Sequence, residues 1–295
     1  MKWLFFTILP LLATSKVTAQ GYFTKGKVNS VADTIKLNGF IFLYSALALL
    51  VFNVRQVPSI QTVIFALIVS VLTLSFQVFY VLSFKTGAVS LSNTIVNFGI
   101  TLPILFSIIF LGDKINAFKI IGFVLIATAL FLIPSGGKNP NQKKIGITTT
   151  KKWFFFIITA TICTGATSIC QNLFAESNFS NEKQVFTALI YAFASILCFT
   201  LLPIFKSKSK TPLYKTDVKM SIGLALIGIA LGAYNLLVVF ALAFIPATEY
   251  FPTTSGLQIL SIAIVSAIIF KERPSLKQLL GIAVTIAAVV IINLQ

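Results

Sequence analysis

The sequence predicts an all-α polytopic membrane protein with ten transmembrane helices in two inverted five-helix repeats. Of its 295 residues, 57% are hydrophobic and only 10% are charged. A soluble protein of this length needs far more charge to cover its surface. The apolar residues also fall into repeated long runs, and the second half of the chain repeats the pattern of the first. We therefore expect most of the outer surface to face lipid.

Ten segments have the roughly 20 apolar residues that a helix needs to cross a bilayer. They are 3–23, 33–53, 60–83, 88–111, 116–134, 153–174, 184–205, 218–243, 247–270 and 275–293. The connections are short except at 135–152 and 206–217, which contain Pro, Gly, Ser and Lys and are expected to be aqueous. No soluble domain is expected.

The first segment has two interpretations. MKWLFFTILPLLATSKVTAQ has a basic residue, an apolar run and small residues before Gln20, as a cleaved signal peptide would. However, Lys16 falls inside the supposed cleavage region, and residues 2–6 (KWLFF) recur in the middle of the chain as 152–156 (KWFFF). The repeat favours a retained first span.

The repeat is clearest in two charged turns, FLGDKINAFKIIG (110–122) and IIFKERPSLKQLLG (268–281). With a shift of 159, Asp113 falls on Glu272 and Gly122 on Gly281, and the fronts of the two halves match at a shift of about 150. The chain is thus divided into a first repeat at 1–137, a basic cytoplasmic linker at 138–152 and a second repeat at 153–295. Because each repeat has an odd number of spans, the second is inverted relative to the first.

The distribution of basic residues predicts the orientation. When the N-terminus is placed outside, 17 of the 23 Lys and Arg residues fall on the cytoplasmic side. Cytoplasmic loops carry such an excess. We expect a multi-pass protein of the cell (inner) membrane with both termini outside. The same positions, between apolar segments, argue against a nucleic-acid partner and for the lipid bilayer.

The composition also argues against catalysis. The chain has no histidine, and its three cysteines lie in apolar stretches without metal-ligand spacing. Its seven carboxylates lie mostly in loops. We expect no enzyme activity, no catalytic residues, no metal site and no cofactor.

With these features, the chain resembles the EamA-like branch of the drug/metabolite transporter superfamily over its whole length. The turn at 268–281 fits the family's pattern closely, and the turn at 110–122 fits with Asp113 for Glu and Lys119 for Gln. Either carboxylate is expected to cap the helix that follows it. The resemblance implies a ten-helix carrier of small organic molecules, whose cavity is lined by corresponding helices of both halves. It implies no particular substrate.

Polar side chains inside spans are the candidate substrate-binding residues, because each is costly in hydrocarbon. Lys16, roughly 20 Å along the first span, either binds a carboxylate or phosphate, or extends its ammonium to the cytoplasmic headgroups. The other candidates are Gln77, Tyr80, Asn93, Asn97, Gln171, Asn172, Tyr234, Asn235, Thr253 and Gln258. For any one of them, a hydrogen bond between helices is an equal alternative.

Glu249, between Pro246 and Pro252, also has two interpretations. It is either a substrate- or proton-coupling carboxylate, or it stabilises the start of the ninth helix from the cytoplasmic surface.

Three functions follow from these features. The first is a secondary carrier of a small polar metabolite, such as an amino acid, a sugar or an anionic compound, working by alternating access as a monomer or homodimer. The second is a multidrug exporter of lipophilic cations, which a positive Lys16 disfavours. The third is an accessory membrane protein that transports nothing.

Overall fold

The computed structural model of the protein describes residues 2–24, 30–51, 57–86, 95–96, 98–132, 151–207, 213–214, 217–269 and 276–292. Its main helices are α1 (Lys2–Thr24), α2 (Val31–Val51), α3 (Ile60–Thr86), α4 (Phe98–Leu111), α5 (Ala117–Leu132), α6 (Lys151–Glu176), α7 (Lys183–Ser207), α8 (Val218–Leu242), α9 (Ala247–Ile269) and α10 (Leu276–Ile292). A short 3₁₀ turn, Ser180–Glu182, joins α6 to α7. The described residues contain no strand.

The helices follow the apolar segments of the sequence. Within the described residues, five helices are long and apolar enough to cross a membrane: α2, α3, α6, α7 and α8. Shorter apolar helices lie at Phe98–Leu111, Ala117–Ala129 and Leu279–Ile292. The prediction of an all-helical chain is confirmed, and the five helices that are long and apolar enough to cross a bilayer support a multi-pass membrane protein. That all ten segments cross stays a prediction.

Helix α4 departs from regular geometry and ends in a sharp turn. It begins as a 3₁₀ turn, continues as an α-helix and ends in a π-helical turn at Ser107–Leu111. Gly112 follows with φ at 74°, in the left-handed region that favours glycine. Its position directs the Asp113 amide onto the Ser107 carbonyl oxygen, at 3.2 Å. The charged turn between α4 and α5 therefore begins with a left-handed helix cap.

The carboxylate of this turn binds a different helix from the one predicted. Asn116 caps α5, because its Oδ1 accepts a hydrogen bond from the Lys119 amide at 2.9 Å. Asp113 Oδ2 instead accepts from the amide and the hydroxyl of Thr248, at 3.1 and 3.2 Å. Asp113 thus stabilises the first turn of α9, which is distant in sequence.

The helices pack in pairs that cross between the two halves of the chain. Helix α2 lies against α7 and α8, α3 against α6 and α7, α1 against α8 and α9, and α5 against α10. Glycines permit two of the close approaches: a Cβ on Gly228 of α8 would lie 2.7 Å from the Ile41 carbonyl oxygen, and one on Gly122 would overlap the Ile292 side chain of α10. Large side chains of both halves form one core, in which the rings of Phe174 and Phe186 stack.

At the start of α2, polar contacts link the helix to the segment before α8. Asp33 Oδ1 accepts from the Tyr214 amide at 3.2 Å, and Lys36 Nζ donates to the Tyr214 carbonyl oxygen at 2.8 Å. Burial, with the Asp33 charge as a smaller cause, raises the pKa of the Tyr214 hydroxyl.

The outer faces of the helices, by contrast, present large apolar side chains such as Phe110 and Leu226, as expected for contact with lipid.

Candidate functional site

A central cavity of about 190 Å³ lies among six helices. Helices α1, α2 and α3 of the first half and α6, α7 and α8 of the second half contribute to its lining. The polar lining residues are Lys16, Asn38, Thr73, Gln77, Thr164, Thr167, Gln171, Tyr191, Tyr234 and Asn235. The cavity is larger than a few waters need, and smaller than the roughly 300–1,000 Å³ of drug-sized pockets.

Lys16 is the charged residue of this lining. It is half-buried, and its Nζ lies 5.5 Å from the centre of the Tyr234 ring, a cation–π contact. Among the described residues, no carboxylate forms an ion pair with Lys16. Its side chain lines the cavity, and that it binds a carboxylate or phosphate stays a prediction.

Two amides link α6 and α8 at the cavity wall. Gln171 Nε2 donates to Asn235 Oδ1 at 3.1 Å, and Asn235 Nδ2 donates to the Leu231 carbonyl oxygen at 3.1 Å. The Gln171 carbonyl oxygen has no partner among the described residues, so it is free to accept a hydrogen bond from a molecule in the cavity.

Aromatic side chains form much of the apolar wall. The rings of Phe42 and Tyr191 lie 5.7 Å apart on α2 and α7, and Phe76 of α3 lines the cavity beside Gln77. Ile41, Val69, Ile190, Ile227 and Leu231 complete the apolar part of the lining. A solute with an apolar or aromatic body and a few polar groups fits such a surface.

The structure brings five of the predicted residues together here: Lys16, Gln77, Gln171, Tyr234 and Asn235.

Four others lie outside this lining. Tyr80 stacks on Phe76 and packs against a separate apolar cluster that includes Trp153. Asn172 is buried, and neither of its amide atoms has a partner among the described residues. Thr253 is fully buried in α9, and Gln258 is half-buried in the same helix. Asn93 and Asn97 lie outside the described residues.

Glu249 lies at the start of α9 and forms an ion pair with Lys2 at the start of α1. Glu249 is largely buried, and Lys2 is one-third exposed. The ion pair puts Glu249 and Lys2 on the same side of the membrane. The predicted orientation places Lys2 outside the cell, whereas one interpretation of Glu249 placed it at the cytoplasmic surface, so these two predictions conflict. Glu249 does not line the central cavity.

Sequence reasoning missed five polar lining residues: Asn38, Thr73, Thr164, Thr167 and Tyr191. Asn38 is an amide within an apolar segment, the same signal that identified Gln171, so it was detectable. The threonines had no distinguishing signal, because a threonine hydroxyl inside a helix can equally bond to the carbonyl oxygen four residues earlier, as Thr167 does to Cys163 at 2.9 Å.

The cavity offers charge, hydrogen bonds and apolar surface. Within the described residues, no three His, Cys, Asp or Glu side chains lie close enough to hold a metal ion. Such a lining has the chemical groups needed to bind a small solute.

Comparison with known proteins agrees with this geometry. Residues 151–294 match the model of the EamA-like transporter family. No curated protein matches the chain. A solved structure described only as "Crystal structure of protein" shares the fold, with a TM-score of 0.76 at 14% identity, covering 99% of this chain and 98% of the other. At this identity, the similarity shows the fold alone.

Proposed function

Because residues 151–294 match the model of the EamA-like transporter family, part of the drug/metabolite transporter superfamily, we propose that the protein is a secondary transporter of a small polar metabolite. The solute binds in the central cavity and crosses the membrane by alternating access between the two halves. The single observation that carries this proposal is the lining of the cavity, to which α1–α3 and α6–α8 both contribute.

The helix pairs support two inverted five-helix repeats. If each helix of the first half is exchanged for its counterpart five helices later, α2 against α7 and α5 against α10 are unchanged. The contact of α3 with α6 becomes that of α8 with α1, and α2 with α8 becomes α7 with α3. All of these contacts are present. This symmetry favours ten crossings, with the repeats at 1–137 and 153–295 and, from the basic residues, both termini outside the inner membrane.

The polar lining favours a metabolite over a lipophilic cation. A cation would have to enter a small cavity that already holds the Lys16 ammonium, without a carboxylate among the described lining residues. Glu249, for which coupling was one of two predicted roles, is paired with Lys2 at one end of the molecule. Solute exchange or facilitated diffusion therefore fits the cavity better than proton coupling through Glu249.

Blocking the cavity tests this function. The purified protein is reconstituted in liposomes, and uptake of a panel of labelled polar metabolites is measured. Thr167→Trp fills the cavity from α6 and should abolish uptake. Ile162→Trp places the same side chain on the exposed face of the same helix and should leave uptake unchanged.

Two results would contradict the proposal. Equal uptake by both tryptophan variants would show that solute does not pass through this cavity. No uptake of any solute by the wild-type protein, with a partner that co-purifies at a fixed ratio, would favour an accessory protein.

A further inference from the structure

The charges around the cavity are unbalanced. Of the lining residues, Lys16 alone carries a formal charge at neutral pH. The six carboxylates within the described residues lie at helix ends or in turns, and none lines the cavity: Asp33, Asp113, Glu176, Glu182, Asp217 and Glu249. The cavity thus holds one positive charge and no negative one among the residues described.

The protein around Lys16 compensates this charge only weakly. The face of the Tyr234 ring attracts the ammonium, but cation–π contacts are weaker than a charge-assisted hydrogen bond to a carboxylate. The nearby amide nitrogens of Gln171 and Asn235 are donors, and both already have acceptors. A solute that brings one negative charge supplies what the cavity lacks.

From this imbalance we infer that the transported solute is a small monoanion, such as a monocarboxylate with a hydroxyl or apolar body. The inference rests on the proposed function and narrows its substrate class. It excludes cations, and it disfavours dianions, because only one cation faces them. It also disfavours α-amino acids, which the sequence alone left open.

The penalty for an amino acid can be worked out from its geometry. Once its carboxylate binds the Lys16 ammonium, its own ammonium lies about 6 Å from that nitrogen. At an effective dielectric constant of about 20, the repulsion between two such charges lowers affinity by about 100-fold. A 2-hydroxy acid of the same skeleton avoids this repulsion, and its hydroxyl can donate to the Gln171 carbonyl oxygen.

A matched set of solutes tests the inference. The probes are 2-hydroxyisovalerate (monoanion), valine (zwitterion), valinol (cation) and 3-methylbutane-1,2-diol (neutral), with butyrate and malate as a simple monoanion and a dianion. Binding to the purified full-length protein is measured by calorimetry and by the shift of its thermal unfolding. We expect the two monoanions to bind at least 10-fold more tightly than every other probe.

Variants of Lys16 identify the group responsible. Lys16→Gln should weaken binding of the monoanions at least 10-fold and abolish their advantage over the neutral diol. Lys16→Arg keeps the charge and should retain the preference. Thermal unfolding without solute shows whether each variant is folded, and an unfolded Lys16→Gln leaves the wild-type comparison among the six probes as the deciding result.

The inference is overturned if valine or valinol binds as tightly as the monoanions, if no monoanion binds, or if a folded Lys16→Gln keeps the preference. Its failure is separable from that of the proposed function. If the wild-type protein takes up a neutral sugar or an amino acid and Thr167→Trp blocks this uptake, the transport function is supported. Only the inference that the solute is a monoanion is then contradicted.

Discussion

An alanine at Gly228 tests how closely α2 and α8 must pack beside the cavity. Its Cβ would lie 2.7 Å from the Ile41 carbonyl oxygen, 2.8 Å from the Tyr44 Cβ and 3.1 Å from the Ser45 amide nitrogen. Two of these atoms belong to the backbone, which cannot rotate away as a side chain does. The variant therefore forces α8 away from α2, and it strains the 2.6 Å hydrogen bond from Ser45 Oγ to the Gly228 carbonyl oxygen.

The expected cost is the difference between two effects. Overpacking a tight contact typically costs about 1–3 kcal/mol. Alanine recovers up to about 1 kcal/mol over glycine in helix propensity. Because the new Cβ meets backbone atoms, the cost lies at the upper end of this range, and we expect a net loss of about 2 kcal/mol for Gly228→Ala. At roughly 2–4 °C per kcal/mol, the midpoint of thermal unfolding in detergent should fall by several degrees.

Gly232→Ala is the matched control, since it lies one turn further along α8 and faces the same helix. A Cβ there would lie 3.3 Å from the Leu49 Cγ and from the Ser45 carbonyl oxygen, a contact that small shifts relieve. Its gain in helix propensity should offset most of the crowding. If Gly228→Ala unfolds at the same temperature as Gly232→Ala, the close packing of α2 on α8 described here is wrong.

Three further experiments test the structure at the end of the molecule where α1 begins. Glu249→Lys should lower the midpoint of thermal unfolding, and adding Lys2→Glu to the same chain should restore most of that loss. We expect a coupling free energy of about 1 kcal/mol between the two positions, and strictly additive effects in this double-mutant cycle would refute the ion pair. Asp113→Ala should cost about 1 kcal/mol, because it removes the acceptor of the Thr248 amide, and an unchanged midpoint would show that this cap is dispensable. Gly112→Ala should cost about 1–2 kcal/mol from its positive φ, and no loss in the same melt would place its backbone outside the left-handed region.

The sequence predicted the helices well, because an apolar run of about 20 residues has few other structures open to it. It also identified Lys16 and Gln171 as candidates, and both line the cavity, since a charge or an amide within such a run requires a polar environment. What it did not provide is the rotation of each helix. Gln171 and Asn172 are adjacent and so point about 100° apart on α6; both were predicted, and Gln171 alone lines the cavity.

Tertiary contacts account for the remaining differences. Tyr234 and Asn235 are also adjacent, yet both line the cavity, because Asn235 is held by Gln171 from the neighbouring helix. Asp113 was expected to cap its own helix, whereas its carboxylate binds Thr248 on α9. Neither contact follows from spacing along the chain, because each depends on how two distant helices pack.

A single cysteine tests whether one cavity opens in turn to the two sides of the membrane. Thr167→Cys is introduced after Cys163, Cys170 and Cys198 are replaced by alanine, and Ile162→Cys on the lipid-facing side of α6 serves as the control. Right-side-out and inside-out vesicles are each treated with a membrane-impermeant maleimide.

If the cavity opens to each side in turn, residue 167 is labelled in both kinds of vesicle, a transported solute slows labelling in both, and residue 162 stays unlabelled. Labelling of residue 167 from one side only, with and without solute, would contradict alternating access through this cavity.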